Sequence, residues 1–166
     1  HFQEITEAKQ KRNYLLYYGN WREHKNIPNL IKAFEIIKKD YLPKIKLILT
    51  GKPNPLYPQA LQLIKKSKFK KDILMLGHIS SQKLQKTIQE AKLVIIPSFY
   101  EGFGLQILES LSNKTNVIAS NLSSLPEIGQ KACLYFNPND PQEIAHQANK
   151  IISSPKLQTS LLNQFQ

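Results

Sequence analysis

Six short apolar runs, each followed by a stretch of helical character, leave this chain few ways to fold. The runs are Tyr14–Tyr18, Lys46–Thr50, Ile73–Leu76, Leu93–Ile96, Val117–Ala119 and Cys133–Phe136. Several are apolar nearly throughout, as parallel strands covered on both faces are, rather than alternating as half-exposed strands do. Between and after them the sequence predicts helices over Pro28–Lys39, Pro58–Lys66, Ser81–Ala91, Gly104–Ser112, Pro141–Ile152 and Lys156–Phe165. Pro28 and Pro141 suit a first helical turn, Asp140 is a good N-cap, and Ser80 or Ser81 caps the third helix. Strict strand–helix alternation predicts an α/β architecture: an open, doubly wound parallel sheet of about six strands. Sheets of this kind bind ligands beyond the carboxyl ends of their strands, so chemistry is expected in the strand-to-helix loops.

Composition narrows the function classes. A chain of 166 residues with 41% hydrophobic content can bury one proper core. No run of 18 apolar residues spans a membrane, and His1-Phe2-Gln3-Glu4 lacks the apolar stretch of a signal peptide. The single cysteine, Cys133, cannot form an internal disulfide, which suits a reducing compartment; it reads as core. The only methionine is Met75 and residues 1–12 are polar. We therefore expect a piece of a longer protein, with 1–12 a linker remnant and the domain over 13–166. The net charge of +11 invites a nucleic-acid reading, but of 23 basic residues only Arg12 and Arg22 are arginines. Base-reading sites lean on the arginine fork, so no nucleic-acid partner is expected. The densest cluster, Lys65, Lys66, Lys68, Lys70 and Lys71, reads as a solvated helix end or as a patch drawn to an anionic membrane, the former being the plainer reading.

Two loops carry the candidate chemistry. After the first run comes Gly19-Asn20-Trp21-Arg22-Glu23-His24-Lys25-Asn26, leading into a helix. A glycine at the strand end lets a phosphate approach the backbone, and Lys25 sits where free helix N–H groups gather. On its own this loop reads equally as a diphosphate site or an ordinary polar loop. Trp21 either packs against a partner domain or covers the loop. After the fourth run comes Pro97-Ser98-Phe99-Tyr100-Glu101-Gly102-Phe103-Gly104, then a helix from near Leu105 that carries Glu109. Glu101 and Glu109 are eight residues apart, about 12 Å if wholly helical. That is the scale of a nucleotide-sugar, too long for two carboxylates serving one bond. Each can instead accept hydrogen bonds from a diol. His78 and His24 read as loop histidines and His146 as a surface residue.

These loops resemble the C-terminal domain of family 4 retaining glycosyltransferases, which have the GT-B fold with a Rossmann-like sheet. The resemblance runs from Tyr14 to about Ser154. It rests on Tyr18-Gly19-Asn20 with Lys25-Asn26, Leu49-Thr50-Gly51-Lys52, Leu76 to Ser80, Pro97 to Ser110, Val117 to Asn121, Leu125-Pro126-Glu127 and Phe136 to Pro141. It implies that Glu101 contacts donor-sugar hydroxyls and that Gly102 and the backbone N–H groups of Phe103, Gly104 and Leu105 hold sugar or phosphate oxygens. It further implies that Glu109 binds the ribose, Gly19 and Lys25 hold the diphosphate, and Ile79 lies near the base. The catalytic candidates are Glu101 and Lys25. One departure stands out: the family places an arginine where this chain has Asn20, and Arg22 is the nearest substitute. The resemblance implies a nucleotide-diphospho-sugar as donor substrate with no separate cofactor or metal. It also implies an acceptor-binding N-terminal domain not contained in this chain, and a cytoplasmic setting that could include the inner membrane face. The Gly-Asn-x4-Lys-Asn wording resembles bacterial polysaccharide mannosyltransferases, which implies a GDP-mannose donor. Two rivals remain: a GT-B-like sugar-nucleotide epimerase, and a non-catalytic basic module for nucleic acid or membrane.

Overall fold

The computed structural model describes residues 11–165. Of the expected linker over 1–12, only Lys11 and Arg12 therefore fall among the described residues. Arg12 is tied to the domain, its N–H donating to the Glu90 carbonyl at 2.7 Å and its guanidinium pairing with the Glu90 carboxylate at 3.0 Å.

Six strands form one sheet: β1 (Tyr14–Tyr17), β2 (Lys46–Thr50), β3 (Ile73–Gly77), β4 (Leu93–Ile96), β5 (Val117–Ser120) and β6 (Leu134–Phe136). Seven helices alternate with or follow them: α1 (Ile27–Ile36), α2 (Gln59–Lys66), α3 (Ser81–Glu90), α4 (Leu105–Ser112), α5 (Leu125–Gly129), α6 (Pro141–Ile152) and α7 (Pro155–Asn163). All neighbouring strands pair in parallel, in the order β3-β2-β1-β4-β5-β6. The predicted doubly wound sheet is the one observed.

Every residue of β1, β4 and β5 is buried, which explains why these strands are apolar without alternation. Side chains of β1 alternate between two cores. Leu15 and Tyr17 enter the layer under α1, α2 and α6, while Tyr14, Leu16 and Tyr18 enter the layer under α3, α4 and α5. Among the six strands, only the edge strand β3 exposes large apolar residues, Leu74 and Met75.

Three details depart from the expected elements. The first helix was expected to run to Lys39, but after Ile36 it widens into a π-turn over Ile37–Tyr41, closed by the Leu42 N–H bonding the Ile37 carbonyl at 2.7 Å. Lys38 is buried in this turn. Its Nζ donates to the Pro43 and Ile45 carbonyls and pairs with Asp72 at 3.0 Å, a set of partners that accounts for its burial. Helix α5 is too short for periodicity to mark. Cys133 lies buried just ahead of β6 rather than at its start, and burial pushes its thiol pKa up to about 12.

The strand order reverses between β1 and β4. The loops leaving these two neighbours splay to opposite faces and open a crevice at the carboxyl edge. Both loops singled out from the sequence lie there.

Candidate functional site

The loop after β1 is fixed from below. Gly19 has a φ of +138° and Gly51, at the end of β2, a φ of +82°. A Cβ on Gly51 would run into the Gly19 carbonyl oxygen, so only glycine lets the two loops meet. Tyr17 Oη donates to the Asn20 carbonyl at 2.7 Å. Trp21 is only 4% exposed and its Nε1 donates to the Thr50 carbonyl at 2.8 Å. It thus lies beneath the loop, in the core, and neither covers it nor offers itself to a partner. A single helical turn, Glu23–Lys25, carries Lys25 to the crevice. Next comes Asn26, with a φ of +56°, a backbone that asparagine tolerates better than most residues. Its buried Nδ2 donates to the Pro97 and Pro138 carbonyls, both at 2.8 Å. Asn26 is the N-cap of α1, but with its side chain committed elsewhere it makes no capping bond.

The loop after β4 is held by its neighbours on both sides. On one side the Phe99 N–H bonds the His24 carbonyl at 2.8 Å. On the other, Ser123 and Ser124, in the loop after β5, bond the backbone of Glu101. The Glu101 carboxylate faces Lys25: Lys25 Nζ donates to Glu101 Oε1 at 2.6 Å, and Ser98 Oγ donates to the same oxygen at 2.7 Å. Both side chains of the ion pair are 12% exposed. Tyr100, Phe103 and Leu105 stand in the open, 57% to 65% exposed. Gly104, with a φ of +74°, starts α4 and has no side chain to cap it.

Glu109 projects from α4 as an exposed residue beside Tyr18. Burial above all, opposed by the Ser110 hydrogen bond and helped by the Glu109 carboxylate, holds the Tyr18 hydroxyl well above the ordinary phenol range, and burial followed by Glu101 does the same for Tyr17. The alternation of β1 thus sends Tyr17 towards one of the two carboxylates and Tyr18 towards the other. Of the segment between those carboxylates, only Leu105 onward is helical.

Beside this pair of loops lies a groove of about 580 Å³, walled by Tyr18, Gly19 and Asn20 from the first strand end, Thr50, Gly51 and Lys52 from the second, and His78 and Ile79 from the third. Gly19, Asn20 and Ile79 are thereby brought to one groove, while Lys25 and Glu101 pair at the switch. Arg22 is exposed and lines a separate cavity of about 270 Å³ with Trp21, Pro28, Tyr57 and Phe99. Sequence reasoning did not select Ser98, Ser123, Ser124 or Lys52 as site residues. Lys52 and Gly51 had a usable signal, a glycine and a cation just past a strand; the serines had none. Among the described residues, no cluster of three or more His, Cys, Asp or Glu side chains could hold a metal ion.

Chemically, the crevice is suited to an anion. Helices α1 and α4 start beside Lys25 and just after Glu101, and neither N-terminus has a side-chain cap. Helices α3, α6 and α7 are capped by Ser80, Asp140 and Ser154, while α2 and α5 also lack side-chain caps.

Comparison with known proteins agrees with this fold. The family model described as "Glycosyl transferases group 1" matches residues 1–164. The O-antigen chain mannosyltransferase B of Escherichia coli is 34% identical over 134 residues, which are 81% of this chain and 35% of that protein. A crystal structure of the C-terminal domain of a group 1 glycosyl transferase, LpcC of Francisella tularensis, has a TM-score of 0.78 at 25% identity, covering 92% of this chain and 82% of that one. A TarM mutant of S. aureus, crystallised with fondaparinux, alpha-GlcNAc-glycerol and UDP, has a TM-score of 0.82 at 19% identity, covering 97% of this chain and 33% of that one. The chain spans between about a sixth and two fifths of the length of the curated relatives it matches.

Proposed function

The chain belongs to the group 1 glycosyl transferases, and from that membership we propose that it is the donor-binding part of a retaining hexosyltransferase. The carrying observation is the Lys25–Glu101 pair, set beside the uncapped N-termini of α1 and α4 at the switch point. Lysine has three N–H donors. The bond to Glu101 aims the ammonium and leaves the others for the oxygens of a nucleoside diphosphate. Breaking the sugar–phosphate bond builds negative charge on that diphosphate, and fixed donors aimed there lower the barrier. Glu101 turns its remaining acceptor capacity to donor-sugar hydroxyls, with the backbone from Gly102 to Leu105 alongside. Glu109 takes the ribose and Ile79 lies by the base. Lys52 shares the groove wall with Asn20 and is better placed than Arg22 to act as a second cation.

The names of the relatives in Escherichia coli and Salmonella typhimurium, both O-antigen chain mannosyltransferases, favour GDP-mannose as donor and polysaccharide synthesis as the setting. Acceptor binding falls to another part of a longer protein, so this chain binds donor without efficient transfer. Its place is cytoplasmic, with the exposed lysines at 65, 66, 68, 70 and 71 available to anionic lipid of the inner membrane face. Among the described residues no helix is long and apolar enough to cross a membrane.

A thermal-shift panel of UDP, GDP and ADP with their sugars tests the reading. One nucleotide pair, GDP and GDP-mannose first, raises the unfolding midpoint by mass action, and Glu109→Gln reduces the rise. No shift with any of them, together with steeply salt-dependent DNA binding, would instead support the basic-module rival.

A further inference from the structure

We propose that Ser123 is a positioning residue that sets the donor-sugar carboxylate of Glu101; the role rests on the donor-binding reading above. Ser123 Oγ accepts from the Glu101 N–H at 3.2 Å and donates to the Glu101 carbonyl at 2.7 Å. Ser124 Oγ donates to the same carbonyl at 3.1 Å. Both polar groups of the Glu101 backbone are therefore held by side chains more than twenty residues further along the chain.

Folding does not explain this arrangement. Ser123 is exposed, so water could serve its hydroxyl equally well, and its φ of +60° is a conformation that serine adopts at some strain. Ser124 precedes α5 with a helical backbone (φ −76°, ψ −10°) that does not set its side chain to cap the helix, and its hydroxyl goes to Glu101. One residue is strained, both hydroxyls converge on the same carbonyl, and the common result is a fixed Glu101. Strain of this kind persists where the surroundings over-determine it, and it concentrates at functional positions. With the backbone fixed here and the carboxylate held by Lys25 and Ser98, Glu101 has little freedom left to misdirect.

Ser123→Gly separates positioning from stability, because glycine relaxes the backbone while deleting the hydroxyl. The variant is titrated with GDP and GDP-mannose, UDP and UDP-glucose, and ADP and ADP-glucose, using the pair that binds the wild type. The expected result is an unfolding midpoint equal to or above that of the wild type and a nucleotide-sugar affinity about tenfold weaker, with the nucleoside diphosphate within about twofold. Ser124→Ala, which removes no helix cap, shifts the same ratio in the same direction by less. Unchanged nucleotide-sugar affinity in Ser123→Gly, or equal losses for sugar and diphosphate, would overturn the role. If no pair binds the wild type, the donor-binding reading fails and this role falls with it.

Discussion

The two loops at the switch point are built on different principles. The loop after β1 is anchored from within the domain: Trp21 is sunk into the core, Tyr17 holds the Asn20 carbonyl, Gly51 presses against Gly19, and buried Asn26 joins it to the carbonyls of Pro97 and Pro138. The loop after β4 is buried at its start, through Pro97 and Ser98, but sinks no large side chain into the core. It leaves Tyr100, Phe103 and Leu105 in solvent and is secured by hydrogen bonds to the loops on either side. The difference teaches where fixed geometry is needed. In the proposed function the first loop receives the diphosphate, common to all donors, and can be part of the core. The second receives the sugar and is adjustable through a few hydroxyls without disturbing the fold.

Substitutions can break or sharpen this contrast. Lys25→Ala has the largest expected effect because it touches both loops. It leaves the Glu101 carboxylate largely buried with only Ser98 as partner, lowering stability by about 3 kcal/mol in chemical denaturation. It also lowers nucleoside diphosphate affinity by up to about 100-fold in calorimetry. Gly51→Ala comes next, since its Cβ meets the Gly19 carbonyl at a positive φ. A loss of about 2 kcal/mol is expected, with weaker diphosphate binding. A fully stable Gly51→Ala variant would show that the first loop is not fixed from below. Asn26→Ala removes the side-chain donor from the Pro97 carbonyl and one of two from the Pro138 carbonyl, which keeps Asn29 Nδ2, for a loss of about 1 kcal/mol in denaturant midpoint experiments. Glu109→Gln acts on the ligand alone: about tenfold weaker nucleotide binding and an unchanged unfolding midpoint.

The smallest effect concerns a residue far from the comparison. With its thiol buried and its pKa raised to about 12, Cys133 stays protonated at neutral pH. Its modification by a thiol reagent is expected to be slow in buffer and fast in denaturant. Fast labelling in buffer would show that the segment ahead of β6 opens.

The central strands were legible because burial on both faces left little room for polar residues, and glycine or proline marked their ends: Leu93–Ile96 ends at Pro97 and Lys46–Thr50 at Gly51, and both boundaries agree with the structure. The helices α3 and α6 announced themselves through Ser80 and Asp140, which do cap them. The π-turn after Ile36 was not legible, since Lys38 reads as a surface residue until the fold brings Asp72 and the Ile45 carbonyl to it. At the site, Gly19, Lys25 and Glu101 could be selected because glycines and charges at strand ends have local meaning. Ser123 and Ser124 could not, because a serine in a turn looks the same whether it bonds water or a carbonyl brought to it by the sheet. Arg22 marks the opposite limit: proximity in sequence suggested it for the groove, and the turn of the chain at buried Trp21 leaves it lining a different cavity.

The central claim, donor binding at the β1/β4 switch, is tested most directly by backbone amide shifts on adding GDP, and then UDP and ADP. The account predicts that one of these nucleotides perturbs the amides over 19–26, 102–105 and those near Glu109, leaving 65–71 unmoved. Perturbations confined to the lysines over 65–71, or none with any of the three nucleotides, would contradict it.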